Sequence, residues 1–113
     1  MTNTTLKILL VDDEEKFLNS IAERLRILGF DPLKASSGRQ ALELAENTPI
    51  DLAIVDLKMP DMDGLVTITK LKEIYPDLRS VLLTGHGSEK VKQATRALKA
   101  DYFEKDQMEG FWK

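Results

Sequence analysis

Short apolar runs alternate with longer stretches of helical periodicity along the whole chain. Leu6 to Val11, Leu52 to Val55 and Val81 to Leu83 are apolar at nearly every position, the pattern of strands covered on both faces. Asp31 to Ala35 and the pair Tyr102–Phe103 supply two weaker strand candidates. Between the first two runs, Phe17, Ile21, Leu25 and Leu28 recur at helical spacing, and Gly29 stands where a left-handed C-terminal cap belongs. A second helix follows Ser36 or Ser37 as N-cap, turns Ala41, Leu44 and Ala45 inward and stops before Pro49. A third runs from Gly64 to about Tyr75, with Leu65, Ile68, Leu71 and Tyr75 on one side. A fourth starts near Ser88 and presents Val91, Ala94, Thr95 and Leu98.

Strands alternating with helices imply βαβ units, hence an α/β fold with a parallel sheet covered on both faces. At 113 residues the chain has room for one domain, 1–113, and too little for two. After Lys105 only Asp106 to Lys113 remain, about two helical turns, so a fifth helix is expected to be short or truncated.

Composition narrows the chemistry. The chain has no Cys, which excludes disulfides, thiolate metal sites and cysteine nucleophiles. A net charge of −3 argues against direct contact with nucleic acid or anionic lipid. The run Leu6 to Val11 is too short and too closely followed by acids to be a signal peptide or membrane span, so a cytoplasmic location is expected.

The acids fall at informative places. In an open parallel sheet, ligands bind beyond the C-terminal ends of the strands. Asp12 and Asp13 end the first strand, Asp56 the third and Thr84 the fourth, while Lys105 lies just past the fifth. Three carboxylates on one rim repel unless a cation sits among them, and a carboxylate-rich site suits Mg²⁺. A carboxylate is also a nucleophile toward phosphorus, and phosphoryl transfer needs in-line positioning and positive charge around the moving oxygens. Asp56 is the best nucleophile, since it ends a central strand and precedes a loop, Leu57 to Gly64, with Pro60 and Gly64 as turn residues.

The sequence at this point resembles the receiver domains of two-component response regulators. The match is carried by Asp12–Asp13 after Ile8 to Val11, by the block DLAIVDLKMPDMDG from Asp51 to Gly64, by VLLTG from Val81 to Gly85, and by ADYFEK from Ala100 to Lys105. The resemblance implies a flavodoxin-like, doubly wound, five-stranded parallel sheet in the order 2-1-3-4-5. It implies phosphorylation of Asp56, with Mg²⁺ held by Asp13, by Asp56 and by the backbone carbonyl of Lys58, and by Asp12 through water. Lys105 would pair with the phosphoryl oxygens, Thr84 would move toward them, and Tyr102 would turn inward as the aromatic switch. The implied partners are a sensor histidine kinase or phosphotransfer protein, and an output domain or a second copy at the face of the fourth helix and fifth strand.

One departure is notable: Asp106 follows Lys105 where receiver domains usually carry proline, often after a cis bond. Either this bond is trans with Lys105 placed slightly differently, or a costly cis form is held by its surroundings. Asp61, Asp63 and Asp77 read as ordinary surface acids. His86 reads as a solvated loop residue, although its loop and Lys58 flank the phosphoryl group in the family and could tune dephosphorylation. Two other functions compete. A pseudo-receiver would dock partners without being phosphorylated. A dehalogenase-type phosphatase would need two aspartates separated by one residue after the first strand, and here Asp12 and Asp13 adjoin.

Overall fold

A computed structural model describes residues 6–85 and 87–107. Five strands, β1 (Ile8–Val11), β2 (Leu33–Ala35), β3 (Leu52–Asp56), β4 (Arg79–Thr84) and β5 (Asp101–Glu104), form one sheet in the order β2-β1-β3-β4-β5. Every pairing is parallel. The connections are the helices α1 (Glu15–Ile27), α2 (Gly38–Asn47), α3 (Gly64–Ile74) and α4 (Glu89–Ala97). The fold is therefore the flavodoxin-like arrangement that the resemblance implied.

Strand alternation divides the core in two. Leu9, Val11, Ala53, Val55 and Leu82 point into one apolar cluster, which also holds Ile68 and Leu71 of α3 and Ala41 and Ala45 of α2. Ile8, Leu10, Ile54, Val81 and Leu83 point the other way, against Leu18, Ile21, Ala22 and Leu25 of α1. Successive strand residues face opposite sides, so apolar runs satisfy both layers at once.

The helix ends follow their local chemistry. Ser37 caps α2 by accepting from the Gln40 N–H, which decides between the two serines. Ser88 caps α4 through the Val91 N–H. Gly29 adopts φ 100°, the left-handed cap expected after α1, while the Phe30 N–H reaches back to the Leu25 carbonyl. Leu28 departs from the expectation: it is 57% exposed, because α1 has already ended at Ile27 and the chain turns at Gly29. β4 is longer than its apolar run, starting at Arg79, since ladder bonds to β3 and β5 hold residues whatever their polarity.

Past β5 a short 3₁₀ turn covers Lys105–Gln107. The segment expected to begin a fifth helix, with Met108, Phe111 and Trp112, lies outside the described residues, as does His86. The Lys105–Asp106 bond is trans, there being no cis peptide among the described residues.

Candidate phosphoacceptor and metal site

The C-terminal ends of β1 and β3 are adjacent in register, Val11 lying beside Val55, so the residues that follow meet at one rim. The Asp12 N–H donates to the Ala35 carbonyl, continuing the β1 ladder by one residue and fixing that backbone. Its side chain accepts from the Glu14 N–H at 2.9 Å, a short turn that starts α1. Asp12 and Asp56 are only 4% and 6% exposed, whereas Asp13 is open to solvent. One carboxylate oxygen from each of Asp12, Asp13 and Asp56 lies within 4.8 Å of the others. That spacing and an all-oxygen donor set fit a small hard divalent cation.

Lys105 reaches this cluster from the far end of the sequence. Its ammonium lies 3.0 Å from Asp12 Oδ2, 3.3 Å from Asp56 Oδ1 and 2.8 Å from Glu14 Oε1. The ammonium also lies over the Phe17 ring, Nζ 4.3 Å from its centroid. Burial opposes its charge, but the hydrogen bonds Lys105 donates to Glu14 and Asp12 outweigh that and hold it above the usual lysine range.

One lysine does not neutralise three acids. Burial, with the charge of Asp12 added to it, pushes Asp56 up to about 6 in spite of Lys105. Burial also raises Asp12, against its hydrogen bonds from the Glu14 backbone and Lys105. That excess of negative charge suits a divalent cation.

The loop after β3 is held open by tight local packing. The Gly64 N–H donates to the Leu57 carbonyl at 2.7 Å, and a Cβ at Gly64 would run into the Asp56 carbonyl. Asp63 caps α3 through the Val66 N–H. Asp61 accepts from the N–H groups of Gly38 and Arg39, and those bonds at the start of α2 hold its carboxyl below the usual range. Asp61 and Asp63 are exposed, as the sequence suggested, and each also holds a helix end. Lys58 is exposed and borders an open groove with Asp13, Met59, Pro60, Leu65 and Val91.

Thr84 ends β4 fully buried, opposite Glu104 of β5. Tyr102 is half-buried; its hydroxyl donates to Glu104 Oε2 at 3.0 Å and abuts Gly87, leaving no room for a Cβ there. Burial, then Glu104, pushes the phenol up to about 12. The structure therefore gathers Asp12, Asp13, Asp56 and Lys105, and lays Thr84 and Tyr102 on neighbouring strands. Glu14 and Phe17 are site residues the sequence reading passed over. Glu14 had a signal, as the third acid of a run directly after β1; Phe17 looked like one more core position of α1.

The sequence model of the response regulator receiver domain family matches residues 8–109. An NtrX-like response regulator of Rickettsia felis is 36% identical over 105 residues, which cover 88% of this chain and 22% of that protein. The chain thus spans about a fifth of the length of that curated relative. Among solved structures, a CheY-like response regulator receiver domain protein from Methanospirillum hungatei superposes with a TM-score of 0.86 at 27% identity, covering 96% of this chain and 91% of that one. A Burkholderia pseudomallei response regulator, solved with a phosphorylated aspartic acid, calcium ion and citrate, superposes with a TM-score of 0.81 at 29% identity, covering 88% of this chain and 58% of that one. A rim of acids facing a lysine, the strand order and these matches converge: the chain belongs to the response regulator receiver domain family.

Proposed function

We propose that this receiver accepts a phosphoryl group on Asp56, in a reaction that requires Mg²⁺, and passes the change to a protein–protein contact. The observation that carries the reading is the meeting of three carboxylates within 4.8 Å, with the Lys105 ammonium 3.3 Å from Asp56. The phosphorylated aspartic acid of the Burkholderia protein supports it. Asp13, Asp56 and the Lys58 carbonyl would hold the ion, with Asp12 engaging it through water. When bound, the ion offsets the mutual repulsion of the acids and draws charge from the phosphoryl oxygens.

The remaining work falls to the chain itself. An Asp56 oxygen bonds to phosphorus as the P–N bond of a phosphohistidine breaks and the electron pair leaves with the imidazole. Lys105 pairs with a phosphoryl oxygen, and the Thr84 hydroxyl turns to another. The added charge of about −1.5 to −2 biases the packing of Tyr102 and the face of α4 and β5. The donor is a sensor histidine kinase or phosphotransfer protein. The output is an attached domain or a second copy on that face, within the cytoplasm.

Incubation with acetyl phosphate and Mg²⁺, followed by intact mass, tests this. The expected result is one phosphoryl adduct on the wild type and none on Asp56→Asn. An unmodified wild type would leave a docking module that is never phosphorylated; steady hydrolysis of unrelated phosphate esters would point to a phosphatase.

A further inference from the structure

Lys105 is shared among three carboxylates that differ in how firmly each is held. Asp12 is bound into the β1 ladder and accepts the Glu14 N–H; Asp56 ends the central strand β3. Both are buried. Glu14 stands before α1 with its side chain 65% exposed, yet it makes the shortest contact with the ammonium, 2.8 Å against 3.0 and 3.3 Å. An ammonium has three N–H donors, and here three carboxylates face it. A phosphoryl group on Asp56 brings new oxygens that need one of those donors. The contact that yields is the one to Glu14, because its exposed carboxylate rehydrates at little cost while Asp12 and Asp56 are buried.

We propose that Glu14 is a positioning residue for phosphoryl transfer: it holds the Lys105 ammonium at the mouth of the site and competes for it with the incoming phosphoryl group. This rests on Asp56 being the phosphoacceptor. The Phe17 ring also faces the ammonium, so a Lys105 released by Glu14 keeps a partner near the rim. Glu14 slows phosphorylation by occupying the donor the phosphoryl oxygen needs.

The contact is exposed, so its effect is modest. Glu14→Gln is expected to form adduct about two- to fivefold faster than wild type, the range set by an exposed charge pair. Glu14→Asp keeps the charge and should return most of the wild-type rate. Intact mass over time, with acetyl phosphate and Mg²⁺, reads both. Repeating the comparison in a Lys105→Met background separates positioning from bulk charge, since an effect exerted through the lysine disappears there. A wild type that forms adduct at the same rate as Glu14→Gln, or faster, overturns the proposal; so does an acceleration that survives loss of Lys105. A wild type that forms no adduct at all overturns instead the assignment of Asp56 beneath it.

Discussion

Asp56→Asn should stabilise this protein when no metal is present. The wild-type carboxylate is buried beside Asp12, and its pKa rises from 3.8 to about 6, so keeping it charged in the fold opposes folding. At about 1.4 kcal/mol per tenfold change in proton affinity, that difference amounts to about 3 kcal/mol at neutral pH. The amide removes the charge at nearly constant shape, and the 3.3 Å contact with Lys105 is already counted in that raised pKa. The gain is therefore about 3 kcal/mol, or a rise in Tm of about 10–15 °C for a chain of this size. The sign with pH is definite. A carboxyl whose folded pKa is raised loses its contribution to stability as pH climbs from 3.8 through about 6, so the mutant's advantage grows across that window and is flat above it. At pH 5 it should be about half its value at pH 7.5. Urea unfolding followed by circular dichroism, in EDTA at both values, measures the difference. Other titrating groups are common to both proteins and largely cancel. A mutant no more stable than wild type at pH 7.5, or equally advantaged at pH 5, would refute the electrostatic reasoning.

Two further outcomes follow from the same geometry. Mg²⁺ should raise the Tm of the wild type, by about 2.7 kcal/mol of stability at a hundredfold excess over Kd, and do much less for Asp13→Asn; equal gains in thermal melts would remove Asp13 from the ligand set. Gly64→Ala forces a Cβ against the Asp56 carbonyl, so urea unfolding should show a loss of about 1–3 kcal/mol together with slower adduct formation, and a variant within 0.5 kcal/mol of wild type (about the size of an ordinary surface change) would contradict the close approach.

Much of the fold was legible because each βαβ unit writes its own pattern. The two-sided apolar runs at Ile8–Val11 and Leu52–Val55 demanded cover on both faces, and two apolar clusters supply it. Ser37, Ser88 and Gly29 marked helix ends through interactions spanning a few residues, which local sequence displays. Other features depend on what surrounds a residue in the fold. Asp61 is solvent-facing as read, but its hold on the start of α2 was hidden because its partners, the N–H groups of Gly38 and Arg39, lie more than twenty residues away. Leu28 fitted the helical spacing of α1, but the chain turns away at Gly29 before that face can be used.

What the sequence determined by itself was the rim. Asp12, Asp13 and Lys105 follow strands and Asp56 ends one, and parallel strands deliver their C-terminal ends to the same side of a sheet, so convergence is a consequence of order along the chain. What only the tertiary structure decided was the balance of charge there. Whether Lys105 faces the phosphoryl position or an acid depends on a trans bond before Asp106, on the Phe17 ring facing its ammonium and on Glu14 across 91 residues. Electrostatic energies vary with distance and burial, and neither is written in spacing along a chain. The raised pKa of Asp56 and the competition for one ammonium therefore come into view only when the strands are laid side by side.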